Sequence, residues 1–366
     1  MKNTKVKKIT FWLMICFLVT MIAGGSTYAT TLEVATPNTL VTLDWHGTTD
    51  SSMRAVGWHI WEGLACYNED FEIIPQLAKE WDVNSDNTEY TFYLREGVNF
   101  QKGYGELTAD DVIASLERFF ERGVRSQDFD SVKTIDKVDD YTIKIVLNKP
   151  SGVFLPLIST PLGFAAIMPE ELTGVEIRKL ENNQIVGTGP YQLKDWTKGE
   201  ILILEKFNDY TQDDAYDGPT GMGGKRTAYF DLVRLNMVTD TTTRFSGLQT
   251  GEYDYIAMPP AMEFDNLKNN DEFNIAVGTT LIKPAYAFNV QKAPTDKIEV
   301  RRAIIEALNM EEILSTQMMG NEELYRLDSS IFAKESPWWY PAGEIVGVYN
   351  KYRQDLDDAK ELLELA

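Results

Sequence analysis

The stretch from Pro75 to Phe120, PQLAKEWDVNSDNTEYTFYLREGVNFQKGYGELTADDVIASLERFF, constrains the fold more than any other part of the chain. A polar turn of Asn84, Ser85, Asp86 and Asn87 leads into Tyr90, Phe92 and Leu94, which alternate with Thr91, Tyr93 and Arg95. That two-residue period predicts a strand with one buried face. Gly103 and Gly105 then break the chain. Thr108, with Asp111 three residues later, predicts a capping box. Val112, Ile113, Leu116, Phe119 and Phe120 supply the apolar stripe of the helix that follows. Strand, loop and amphipathic helix in succession describe a mixed α/β chain.

As text, the same stretch resembles the signature of the family 5 extracellular solute-binding proteins, the capture subunits of peptide, nickel and related ABC importers. In that family P-x-LA-x-x-W leads to YTFxLRxGVxF and then to LTADDVxxSLxR. Upstream, LDWH…WEGLACYNEDFEIIPQLA is similar to the family's LDPH…EGLxxxDxxGxxxPxLA, with Trp45 where many members carry proline. Downstream, PSGVFLPLIS, the GTGPY of Gly187 to Tyr191, RFSGLQTGEYDY and the final YNKYRQDLDDAKELLELA each resemble family phrases. The resemblance spans residues 31–366.

It implies a three-lobed α/β protein of the type II periplasmic-binding-protein architecture. Lobe one would comprise 31–74 and 187–278, lobe two 75–186, and lobe three 279 onward, truncated at Ala366. A chain of 366 residues exceeds what one core usually supports, which agrees with several lobes.

The N-terminus reads as a secretory signal. Lys2, Lys5, Lys7 and Lys8 precede an apolar run from Ile9 to Ala23, and Thr27-Tyr28-Ala29 places small residues for cleavage after Ala29. The alternative, a retained membrane anchor, needs a run of about 20 residues, longer than this one. Acylation on Cys16 would need a small residue before it, where Ile15 stands. The expected product is therefore a free periplasmic protein.

Loss of residues 1–29 removes four lysines and no acid, taking the net charge from −21 to −25. Such a surface repels nucleic acid and anionic membranes. It also leaves Cys66 without a disulfide partner.

Three further stretches carry expectations. Gly187 and Gly189 suggest backbone conformations closed to other residues, at a crossover between lobes. DGPTGMGGKRT, residues 217–227, lacks the glycine and hydroxyl that a phosphate loop would require at Pro219 and Arg226, and reads as a flexible surface insertion. Asp296, with Glu299 three residues on, predicts the start of a helix that buries Val300, Ile304, Leu308 and Ile313.

Chemistry is sparse. His46 and His59 are the only histidines, and no H-E-x-x-H, C-x-x-C or G-x-S-x-G occurs in residues 30–366. A secreted hydrolase built on a carboxylate pair stays open among 56 acidic residues. A binding protein needs instead two lobes that close on a ligand between aromatic walls.

The resemblance places the ligand cleft. Thr48, Thr49, Asp50 and Ser51 would lie beside the ligand backbone like an added strand, with Trp45 and His46 on the same loop. Met258 sits on a crossing segment, and Tyr286, Phe288 and Asn289 face the loop from lobe three. The implied function is capture of a short peptide by a monomer, without cofactor or metal, and delivery to an ABC permease in the inner membrane. A nickel chelate, an opine or an oligosaccharide is the alternative cargo within the family. Service as a ligand-loaded partner of a membrane receptor is a further possibility.

Overall fold

The computed structural model describes residues 29–161, 164–278, 287–327, 334, 337 and 354–366. The expected leader through Tyr28 and the candidate Tyr286 lie outside them. Strand β1 (Thr31–Thr36) runs into a loop with a 3-10 turn at Trp45–Gly47, then helix α1 (Ser51–Ile60). A short antiparallel hairpin follows, β2 (Ala65–Tyr67) with β3 (Ile73–Pro75).

The stretch that dominates the sequence builds a four-stranded antiparallel sheet and its covering helix. Strands β4 (Ala78–Val83), β5 (Glu89–Leu94), β6 (Val132–Asp139) and β7 (Thr142–Leu147) lie in the order β4-β5-β7-β6. Tyr90, Phe92 and Leu94 of β5 are buried while Thr91 and Tyr93 are not, the expected alternation. Helix α2 (Ala109–Arg122) starts in the predicted capping box, with the Thr108 amide donating to Asp111 Oδ2 at 2.9 Å. Its Val112, Leu116, Phe119 and Phe120 join Ile143 and Ile145 of β7 in one core. Each such side chain contributes about 1.5–3 kcal/mol by burial, which is what holds the helix on the sheet.

After two short helices, α3 (Phe154–Ser159) and α4 (Glu170–Thr173), the chain returns to a second, five-stranded sheet. This contains β8 (Tyr191–Thr197), β9 (Ile201–Lys206), β12 (Leu232–Met237) and β13 (Tyr255–Ile256), in the order β13-β1-β12-β9-β8. Strand β1 is parallel to both its neighbours, whereas β12, β9 and β8 pair antiparallel. Its core gathers Leu43, Trp45, Met53, Val56, Ile60, Trp61, Leu202 and Leu204. Helices α5 (Thr241–Thr250) and α6 (Phe264–Lys268) follow β12 and β13.

The crossover between the sheets needs its glycines for a reason other than the expected one. Neither Gly187 nor Gly189 adopts left-handed backbone. A Cβ on Gly187 would lie 2.2 Å from the Ile60 carbonyl oxygen, and one on Gly189 would lie 2.5 Å from that of His59. Close approach, not conformational freedom, is the constraint. The buried Gln101 side chain seals this junction. Its Nε2 donates to the carbonyls of Ile60, Gly189 and Tyr191 at 2.8–3.1 Å, and its Oε1 accepts from the Gly187 amide at 3.1 Å.

The glycine-rich stretch after Asp217 is an ordered hairpin, β10 (Pro219–Thr220) with β11 (Gly223–Gly224), in place of the expected flexible insertion. Met222 bonds the Tyr67 carbonyl at 2.9 Å, and Arg226 reaches Glu62 at 2.5 Å with both side chains largely buried. The later helices are α7 (Ile298–Ala307), α8 (Met310–Gln317) and α9 (Leu356–Leu365). Helix α7 starts at Ile298, so the expected Asp296 cap is not made; the Asp296 carbonyl instead accepts from Arg301. Val300 and Ala303 are buried as α7 packs on α9.

Candidate functional site

The loop from Asp44 to Ser51 is anchored at both ends, buried through Thr48 and exposed at Thr49 and Asp50. At its start, Asp44 is buried and paired bidentately with Arg118 of α2: Nη1 to Oδ1 3.0 Å, Nη2 to Oδ2 2.7 Å. Arg118 also approaches His46 Nδ1 at 3.1 Å, while His46 Nε2 lies 2.8 Å from the Ala166 carbonyl. Burial, and then the Arg118 cation, lower the His46 pKa to about 4, so the ring is neutral at physiological pH. Burial would raise Asp44; the hydrogen bond and charge of Arg118 outweigh it and hold the carboxyl below its usual range.

Trp45 and His46 therefore belong to the interior, not to a ligand-facing wall. The Trp45 ring sits 4.9 Å from Trp58 and 5.2 Å from Phe164, and lies so flat on α1 that a Cβ at Gly57 would fall 1.9 Å from it. Both residues are at most 1% exposed, which leaves a ligand nothing to touch.

The next residue, Gly47, is gripped from the far side of the junction. Arg178 Nε donates to the Gly47 carbonyl at 2.5 Å and the Arg178 amide donates to Asp44 Oδ2 at 2.8 Å. At the other end Asp50 caps α1, its Oδ1 accepting from the Ser52 amide at 2.8 Å, and its own amide donates to Thr48 Oγ1 at 3.0 Å. Between these anchors Thr48 is extended, at φ −151° and ψ 149°. Among the described residues, nothing pairs with the backbone N–H or C=O of Thr48 or Thr49. Such groups are normally satisfied by protein, water or ligand; Thr48 is buried at 8% exposure, and Thr49 beside it is exposed.

Met258 lies where the parallel strands end. It is 67% exposed and left-handed at φ 54°. Arg244 of α5, buried to 2% exposure, fixes the backbone there. Its five N–H donors go to the carbonyls of Val238, Thr239, Ala257 and Met258 and to Thr241 Oγ1. The carboxyl ends of parallel strands are where open α/β sheets present ligand sites. Phe288 is half-buried and Asn289 exposed; Asn289 Oδ1 accepts from the Gln291 amide at 3.0 Å. No hydrogen bond or ring contact among the described residues joins Phe288 or Asn289 to the loop or to Met258.

Other features supply no chemistry. Burial pushes the Cys66 thiol up to about 12. Among the described residues, no group of three or more His, Cys, Asp or Glu could hold a metal ion. No described helix is long and apolar enough to cross a membrane. A cavity of about 540 Å³ between α2 and β6, lined by Glu117, Phe120, Asp130 and Lys133, contains none of the expected site residues.

The sequence reading missed Gln101, Arg118, Arg178 and Arg244 as organisers of this region. Arg118 was visible as the arginine of SLER, but its partner stands 74 positions away. Arg178 sits in an undistinguished polar run, and nothing in the sequence marks it.

The family described as bacterial extracellular solute-binding proteins, family 5 Middle, matches residues 72–366. The glutathione-binding protein GsiB of Pectobacterium atrosepticum is 28% identical over 303 residues, covering 82% of this chain and 56% of that protein. The chain thus spans little more than half the length of that relative. Among solved structures, the periplasmic binding protein DppA of Helicobacter pylori in complex with the peptide STSA is 28% identical. Its TM-score is 0.70, and the match covers 92% of this chain and 65% of that one. A dipeptide-binding protein from Pseudoalteromonas sp. SM9913 in complex with Met-Leu superposes at a TM-score of 0.75, with 24% identity and coverage of 92% and 66%.

Proposed function

This chain belongs to the bacterial extracellular solute-binding proteins of family 5, and from that premise we propose that it captures a short peptide in the periplasm for an ABC importer. One observation carries the reading: the backbone of Thr48 and Thr49, without a partner among the described residues, with Thr48 extended between two fixed ends. A peptide laid beside it would pair its own N–H and C=O groups there, gaining affinity with little dependence on side chains. Glutathione, a dipeptide and the peptide STSA in the names of similar proteins fit this ligand class.

In this reading 31–74 with 187–278 form lobe one, 75–186 lobe two, and 279–366 belong to lobe three. Gln101 and the Asp44–Arg118 pair couple the first two lobes, so closure is a movement of lobe three against that unit. Met258, Tyr286, Phe288 and Asn289 complete the walls. Ligand acts by binding the closed form better than the open one, and the permease receives the closed form. Capture at micromolar affinity needs about −8 kcal/mol, and no covalent bond is made or broken. The protein acts as a monomer.

The test is mass spectrometry of whatever is released when the purified protein is denatured. Short peptides are the expected result. A nickel chelate, an opine or an oligosaccharide would keep the family and replace the ligand; turnover of a substrate would replace capture with hydrolysis.

A further inference from the structure

Arg178 differs from Arg118, Arg226 and Arg244 in how its guanidinium is used. Arg118 gives its fork to Asp44 and the Val175 carbonyl, Arg226 to Glu62 and the Trp58 carbonyl, and Arg244 its five donors to loop oxygens. Arg178 is held at its base and middle, through its amide to Asp44 and its Nε to the Gly47 carbonyl. Its side chain lies against Gly47 so closely that a Cβ there would stand 2.7 Å from Arg178 Cγ. Yet its Nη1 and Nη2 have no acceptor among the described residues, and the residue is exposed. Among the described residues no carboxylate is paired with its guanidinium, in a chain of net charge −21.

The backbone of Arg178 is left-handed, at φ 65°. That conformation is uncommon for a long side chain and strained, and such strain concentrates at ligand clamps. Here it directs the amide and the side chain together toward the Asp44–Gly47 turn. The fork thus ends next to the residue that precedes Thr48 and Thr49.

We propose that Arg178 is a specificity-determining residue whose two free Nη groups bind a carboxylate of the peptide lying along Thr48 and Thr49. This rests on the peptide-capture reading of the same loop. The planar fork of a guanidinium matches the two oxygens of a carboxylate, which the point charge of a lysine does not. The carboxylate can be the peptide's C-terminus or an acidic side chain near that end.

The test uses a pool of tripeptides lacking Asp and Glu, offered to the purified chain as free acids and as C-terminal amides in competition, with native mass spectrometry as the readout. A third pool carries aspartate but has amidated ends. Wild type is expected to favour a carboxylate-bearing pool over the plain amides by on the order of tenfold. Arg178→Gln should lose that preference while still binding amides, and Arg178→Lys should keep only part of it. Melting curves check that both variants fold. Whichever carboxylate pool wins identifies the source of the group. A preference that survives in Arg178→Gln, or wild type binding acids and amides alike, overturns the proposal and leaves peptide capture standing. Wild type binding no pool overturns both.

Discussion

Arg118 and Asp44, 74 positions apart, meet in a two-point pair at 3.0 and 2.7 Å with neither side chain more than 1% exposed. The pair ties the helix of one sheet to the loop that leaves β1 of the other. With Arg178, it is what holds the candidate ligand loop by its first residue.

Removing one member should be far worse than removing both. Asp44→Ala strands a buried guanidinium and is expected to cost about 3–5 kcal/mol in urea unfolding. Replacing both, as Asp44→Leu with Arg118→Met, should recover part of that loss. A double variant less stable than the sum of its singles would contradict a pair whose members are costly mainly when alone.

The buried His46 makes stability depend on pH in a definite direction. Its folded pKa of about 4 lies below its ordinary value of 6.5, so the unfolded chain binds the proton first. The contribution is complete above pH 6.5 and is lost as pH falls toward 4, by about 1.4 kcal/mol per unit and on the order of 3 kcal/mol in all. Asp44, also held low, adds to the loss at still lower pH. The slope of stability against pH between 6.5 and 4 should fall by about half in His46→Asn, because burial lowers His59 to about 4 as well and it carries the rest; an unchanged slope would show that His46 is protonated in the folded protein.

Gln101, fully buried, satisfies three carbonyls and one amide at the crossover. Gln101→Ala should cost on the order of 3 kcal/mol and accelerate hydrogen exchange at the Gly187 amide. Exchange unchanged at Gly187 would mean that the junction is held by other contacts.

The sequence was most readable where local rules and tertiary packing agree. The period of Tyr90, Phe92 and Leu94, the Thr108–Asp111 box and the stripe of α2 all appear as expected, because each is decided within a few residues. Asp296 was misread as a cap because the helix start shifts to Ile298. Trp45 and His46 were legible as residues of a loop but not as interior ones. Their partners Trp58, Phe164, Ala166 and Arg118 come from distant segments that only the fold assembles. The hairpin at Pro219–Gly224 escaped for the same reason, since its glycines are required by contact with Asn68 and Cys66.

Asp50 offers a control on the cleft itself. Its carboxylate is committed to the Ser52 amide at the start of α1, and asparagine caps a helix nearly as well. Asp50→Asn should therefore leave peptide affinity and melting temperature unchanged. A marked loss of affinity alone would assign the charge to the ligand.

The central claim, that backbone groups of Thr48 and Thr49 bind the ligand, is tested most directly by calorimetry with the peptide recovered from the protein. Thr49→Ala keeps the backbone and should bind like wild type. Thr49→Pro removes the amide donor and is expected to cost on the order of 1–3 kcal/mol, about five- to 150-fold in affinity. If Thr49→Pro melted and bound like wild type, this loop would not be the site.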